Sequence, residues 1–221
     1  MQPFERHEGL TAPLRQDHVD TDQIIPKQFL KSIERSGFGA NLFDSWRYLD
    51  EGRSDQRHTQ RAINPDFILN RPGFAEASIL IAGVNFGCGS SREHAVWALL
   101  DYGIRVVIAA SFGDIFRQNA NNNGLLTIAL PEDVVQELMQ HSEAGGHRLG
   151  VDLQSCLIEE LSGGDTREFA IDPIARQKLL QGLDDIGLSL LERSAIEACE
   201  QRRCSTEPWV FAPLQDREPS P

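Results

Sequence analysis

Residues 78–142 alternate between short apolar runs and helix-length stretches, and this alternation limits the possible folds more than any other feature of the chain. Ser78–Ala82 (SILIA) is an apolar run closed by Gly83 and reads as a buried strand. Ser91–Tyr102 has the pattern of a helix, and the β-branched run Ile104–Ala110 reads as the next strand. Ser111 is placed to cap a helix running to about Asn121, where an Asn run and Gly124 supply a left-handed stop. Leu125–Leu130 is a third strand, and Pro131 can open a helix in its first turn. Strand–helix–strand–helix–strand at these lengths requires parallel pairing with crossover helices, so the expected class is α/β.

The C-terminal third is patterned differently. Gly150–Ile171 contains two strand-like runs around Ser162-Gly163-Gly164-Asp165, the signature of a hairpin. Asp172-Pro173 supplies a cap and a first-turn proline for a following helix, and a last helix is expected over Leu190–Arg203. The polar stretch Asp50–Arg61 is an internal loop, and Gln215–Pro221 should fray. The expected organisation is one domain over residues 1–191, with loop 50–61 inside it, then a C-terminal helix and tail over 192–221.

Charge and cysteine spacing exclude several function classes. The formal net charge is -12 and the basic residues are scattered, which disfavours nucleic-acid binding. Met1–Leu10 has no apolar segment of the signal-peptide kind, and no apolar run is long enough to span a bilayer. A soluble, cytoplasmic chain without membrane contact is expected. Cys88, Cys156, Cys199 and Cys204 form no CxxC pair, so four free thiols are expected and no metal or cluster site on this chain.

The segment Asn85-Phe86-Gly87-Cys88-Gly89-Ser90-Ser91-Arg92-Glu93-His94 lies between an expected strand and an expected helix. Ser90 and Glu93 have capping-box spacing, which makes Ser90 a candidate helix cap. A second reading makes Ser90 a base whose alkoxide is stabilised by helix amides and the Arg92 guanidinium. Arg92 could instead clamp a carboxylate or form a surface ion pair. His94 reads as a structural residue and Cys88 as a small residue in a tight loop. The loop lacks GxxxxGK[ST] and GxGxxG spacing, which lowers the case for a nucleotide site.

Gly89-Ser90-Ser91-Arg92-Glu93-His94 resembles the signature of the aconitase superfamily's swivelling domain. Asp20-Thr21-Asp22-Gln23-Ile24-Ile25-Pro26 is similar to that family's N-terminal Asp-Thr-Asp segment. Ser111-Phe112-Gly113-Asp114-Ile115-Phe116, with Asn119 and Gly124-Leu125-Leu126, is similar to its downstream segment. Asn64-Pro65-Asp66-Phe67 and Gly182–Leu188 resemble features of bacterial isopropylmalate dehydratase small subunits.

The resemblance implies a three-layer β/β/α swivelling domain of the aconitase type. It also implies a large-subunit partner that carries a [4Fe–4S] cluster on its own cysteines, none being bound by this chain. The implied reaction, in leucine biosynthesis, dehydrates and rehydrates a dicarboxylic hydroxy acid, isomerising 2-isopropylmalate to 3-isopropylmalate. By the same resemblance Ser90 is the base, Ser91 and Arg92 bind substrate carboxylate and support the serine oxyanion, and Asp22 is a polar neighbour. On the residues alone, an Asx-turn in the Asp-Thr-Asp segment is the better reading of Asp22. Residues Gln28–Phe38 would shape the substrate pocket, with Arg35 as a candidate carboxylate ligand and Phe29, Leu30 and Ile33 as apolar contacts or ordinary core. A citramalate- or homoaconitate-type hydro-lyase subunit, a non-catalytic assembly module and a stand-alone phosphate-binding domain are the alternatives.

Overall fold

The computed structural model describes residues 1–30, 36–53 and 58–211. In chain order the elements are β1 (Arg6–Leu14), α1 (Thr21–Ile24), α2 (Asp44–Arg47), β2 (Ile79–Ala82), α3 (Glu93–Tyr102), β3 (Val106–Ala109), α4 (Asp114–Asn123), β4 (Leu126–Ala129) and α5 (Glu132–Ser142). There follow β5 (Arg148–Asp152), β6 (Leu157–Glu160), β7 (Thr166–Glu168), α6 (Pro173–Gln181), α7 (Asp185–Leu190) and α8 (Arg193–Thr206). The strands form one seven-stranded order, β4-β3-β2-β1-β5-β6-β7. The pairings from β1 to β4 are parallel and those from β1 to β7 antiparallel.

Strand β1, which no periodicity marks, joins the two halves. Its first half, Arg6–Leu10, pairs with β5, and its second half, Thr11–Leu14, pairs with β2. Pro13 is tolerated because that part of the strand is paired along one edge only.

Alternation along the buried parallel strands sends side chains into two cores. Leu80, Ala82, Val107 and Ala109 pack with Ala95, Val96 and Leu99 of α3 and Phe116 and Ala120 of α4. Ile79, Ile81, Val106 and Ile108 pack with Val135, Leu138 and Met139 of α5, with Leu149, Val151 and Ile158 of the antiparallel strands, and with Leu179 of α6. Helices α3 and α4 thus cover one face of the parallel strands, and the antiparallel strands, together with α5 and α6, cover the other, in the expected α/β class.

The expected crossover units and hairpin form, but three boundaries differ. Helix α3 starts at Glu93, with Arg92 at the cap position and no side-chain cap, so Ser90 does not cap it. Helix α4 is entered from Gly113, and the Ser111 hydroxyl instead accepts the Asn85 amide at 2.8 Å. Pro131 sits at the cap position of α5, one residue ahead of the helix. The caps expected of Asp172 and Gly124 are in place. Compactness divides the chain into Met1–Leu183 and Asp184–Pro221, a division eight residues before the expected 191. In the second unit α7 and α8 bury no residue, and the Asp184 carboxylate caps α7 through the Gly187 amide. Of the polar loop 50–61, residues 54–57 lie outside the described set. No helix among the described residues is long and apolar enough to cross a membrane.

Candidate active site

The loops leaving the C-terminal ends of β1, β2 and β3 converge, as expected of the ligand-binding edge of a parallel sheet. Two single bridges continue the parallel pairing beyond the strands, Asp20 with Cys88 and Phe86 with Phe112. Hydrogen bonds pin the serine loop on both sides. The Gly87 amide donates to Val19 O at 2.7 Å, and the Thr21 amide to Cys88 O at 2.9 Å. On the other side the Phe86 amide donates to Ser111 O at 3.0 Å, and the Gly113 amide to Phe86 O at 2.9 Å.

This packing admits no side chain at two glycines. A Cβ on Gly87, whose φ is +74°, would stand 2.2 Å from Phe116 Cγ, and one on Gly113 would stand 2.6 Å from Gly87 O.

The Asp-Thr-Asp segment divides its roles. Asp20, and not Asp22, is the cap: its carboxylate accepts the Gln23 amide at 2.7 Å while Gln23 Oε1 accepts the Asp20 amide at 2.8 Å. Thr21 Oγ1 donates to Ser90 O at 2.8 Å, tying the segment to the serine loop. The Asx-turn reading of Asp22 therefore does not hold, and its carboxylate pairs with the Arg92 guanidinium. Arg92 Nη1 is buried and lies against that carboxylate without the alignment of a hydrogen bond. An ion pair and one imperfectly directed donor are thus set beside the serine loop.

Ser90 and Ser91 are exposed. Glu93, freed from capping, accepts from Asn123 Nδ2 at 2.7 Å, and the same Asn123 amide group accepts from Trp97 Nε1 at 2.9 Å. His94 packs on Trp97 and edge-on to Phe38, with ring centroids 4.6 and 5.2 Å away, and burial lowers its pKa. The sequence reading expects a structural hydrogen-bonding residue here, and the contacts described are those of ring packing. Burial, with the Asp20 carboxylate nearby, pushes the Cys88 thiol above its ordinary pKa, and that thiol donates to His18 O at 3.3 Å.

Two clefts border these groups. One, of about 320 Å³, is lined by Gly89, Ser90, Phe112, Gly113, Asp114 and Ile115 among others. The other, of about 460 Å³, is lined by Asp22, Lys27, Gln28, Tyr48 and Asp50 among others. Lys27, one residue ahead of the segment Gln28–Phe38, adds a cation to this lining that no motif marks. Asp114, in the first turn of α4, adds a carboxylate to the smaller cleft. The structure therefore brings together Ser90, Arg92 and Asp22 through adjoining backbone, with Ser91 next in the loop. Arg35 and Ile33 lie outside the described residues. Phe29 is buried, as its core reading has it.

Comparison with known proteins decides the family. The family model of the aconitase C-terminal domain matches residues 1–133. The chain is 52% identical over 212 residues to the 3-isopropylmalate dehydratase small subunit of Marinobacter nauticus, covering 96% of this chain and 98% of that protein. The chain belongs to the 3-isopropylmalate dehydratase small-subunit family. A crystal structure of a 3-isopropylmalate dehydratase from Methanocaldococcus jannaschii matches 88% of this chain and 99% of its own, with TM-score 0.60 and 26% identity. The family model ends at residue 133, so it covers β1 to β4 and both segments of the serine site.

Proposed function

We propose that this chain supplies the serine-loop half of a divided 3-isopropylmalate dehydratase active site. The large subunit completes it, and the reaction isomerises 2-isopropylmalate to 3-isopropylmalate by loss and return of water. One observation carries the assignment of residues. Ser90 is exposed on a backbone held rigid from both sides, next to the Asp22–Arg92 pair.

The chemistry follows from acidity. The proton to be removed sits on a carbon beside a carboxylate, and a serine hydroxyl is a weak base at neutral pH. Ser90 becomes competent when its oxyanion is stabilised by Arg92 and by unpaired amides at the start of α3. Ser91 and a remaining Arg92 donor bind a substrate carboxylate, for which the guanidinium fork is suited. Asp22 holds Arg92 in place and tempers its charge. Arg35 is the further candidate carboxylate ligand. A negatively charged chain can bind a dianionic acid because binding responds to these local groups, whereas net charge sets only the distant field.

The cysteines of this chain do not fit an iron–sulfur cluster. The four thiols are free, and the one set of three metal-type donors found among the described residues contains none of them. In this reading the [4Fe–4S] cluster belongs to the large subunit and supplies Lewis-acid activation of the substrate hydroxyl.

The test is anaerobic turnover of 2-isopropylmalate by the chain mixed with its large subunit, followed through the ultraviolet absorbance of the alkene intermediate. Each chain alone is the control, with citramalate and homocitrate as comparison substrates. Activity confined to the mixture and strongest with isopropylmalate is expected. Preference for another acid would reassign the substrate, and a tight but inactive complex with an intact cluster would favour the assembly-module alternative.

A further inference from the structure

We propose that His141, His147 and Glu160 form a binding site for a divalent transition-metal ion of the zinc class, separate from the serine loop. His141 lies in the last turn of α5, His147 just ahead of β5, and Glu160 at the end of β6. One ligand atom from each lies within 4.8 Å of the others. Glu160 Oε2 is 3.0 Å from His141 Nδ1 and 3.1 Å from His147 Nε2.

Hydrogen-bond directions around His147 carry the argument. The Ser142 hydroxyl donates its single proton to Leu138 O at 2.7 Å, because a carbonyl can only accept. Its oxygen must then accept from its other neighbours, Thr11 Oγ1 at 2.7 Å and His147 Nδ1 at 3.1 Å. Thr11 has one proton, which goes to one of two oxygens, Ser142 Oγ at 2.7 Å or His147 O at 3.0 Å, and Thr11 Oγ1 also lies 3.2 Å from His147 Nδ1. With both hydroxyl protons given to oxygens, the hydrogen for the contacts of His147 Nδ1 with Ser142 and Thr11 comes from the ring, which places a proton on Nδ1. In the neutral ring Nε2 then carries a lone pair, and that lone pair points at a carboxylate oxygen 3.1 Å away.

Two lone pairs do not face each other at that distance in a buried place unless a positive charge lies between them. The Glu160 and His147 side chains are 7% and 6% exposed. The other Glu160 oxygen is occupied, accepting from Arg167 Nη2 at 3.0 Å, which leaves Oε2 for the shared charge. A proton on Nε2 would make a buried imidazolium. A metal ion would use the His147 lone pair, the carboxylate and His141 together.

The N,N,O donor set suits zinc, cobalt or nickel rather than calcium or magnesium. Tetrahedral zinc with bonds of about 2.0–2.1 Å separates its ligand atoms by about 3.3 Å. The two separations from Glu160 Oε2, 3.0 and 3.1 Å, open to that value by a few tenths of an ångström. His141, whose side chain is 42% exposed, can move and leaves a side open to solvent. Thr11 and Ser142 orient His147, and Arg167 orients Glu160, as outer partners of a metal site do. A bound ion would tie α5 to the β5–β6 ladder.

The test is calorimetric titration of Zn²⁺ into the chelator-stripped full chain at pH 7.5, with Co²⁺ absorption as a second readout. One ion per chain, a rise in Tm on binding, and a cobalt spectrum without thiolate charge transfer are expected. His141→Ala, at an exposed position, should keep its circular dichroism and lose affinity at least tenfold, and Glu160→Gln should lose at least as much. Equal affinity in His141→Ala, a thiolate band in the cobalt spectrum, or no binding by the folded wild-type chain would each overturn the proposal. The last result would leave a proton as the shared charge.

Discussion

On the parallel side of the sheet, Ser90, Ser91 and Asp22 stand exposed above a backbone pinned to the loops on either side of it. On the antiparallel side, Glu160, His147 and Ser142 are buried and engage one another. The first arrangement spends backbone hydrogen bonds to fix where side chains point, and leaves those side chains for something outside the chain. The second turns its polar groups inward, where each must be matched because an unmatched buried group is costly. Exposure on a rigid support is the mark of a site completed by substrate and partner, whereas buried polar groups are matched from within the fold, by one another or by an ion held among them.

That contrast can be broken most severely at the support. Gly87→Ala combines a left-handed backbone with a Cβ 2.2 Å from Phe116 Cγ, and should cost about 3 kcal/mol or more in chemical denaturation. A loss below about 1 kcal/mol would mean that the loop is not clamped as described.

Asp22→Asn should lower turnover by the reconstituted enzyme about 10- to 100-fold while leaving stability within about 0.5 kcal/mol. The Asp22 side chain is half-exposed, so its ion pair is screened by water and contributes little to folding. Asp20→Ala, two residues away, should do the reverse: it removes a cap worth about 1 kcal/mol, read as a lower Tm. If the two variants exchange phenotypes, the division of roles within Asp20-Thr21-Asp22 is wrong.

The smallest effects belong to groups outside both regions' chemistry. Ile196→Ser in α8 should change stability by no more than about 0.5 kcal/mol, since that helix buries nothing. Cys88, its pKa raised by burial, holds less thiolate at pH 7.5 than an ordinary cysteine and should be alkylated more slowly than the exposed Cys204, as peptide mass spectrometry would show.

The parallel units were legible because their signals are local: Ser78–Ala82 and Ile104–Ala110 are apolar runs, and Gly124 and Asp172 act within a few residues of themselves. The failures have distant causes. Ser90 and Glu93 are spaced as a capping box, but Glu93 is taken by Asn123, thirty residues on. Ser111 is spaced as a cap, but its hydroxyl is taken by the Asn85 amide. Strand β1 was invisible because Arg6–Leu10 is largely polar and Pro13 reads as a breaker until its unpaired edge is known. Within the site, Ser90, Ser91, Arg92 and Asp22 were nameable from motifs, but the pairing of Asp22 with Arg92 joins segments seventy residues apart and no spacing rule reaches it. Glu160 with His141 and His147 was missed for the same reason, since those residues carry no motif.

The most direct test of the account is Ser90→Ala in the reconstituted two-subunit enzyme, with turnover and complex formation measured on the same samples. Loss of at least about 10³-fold in kcat, with the complex and its affinity for substrate unchanged, is the result the account predicts. A loss of less than tenfold in a fully assembled complex would contradict it, because Ser90 would then not be the group that takes the proton.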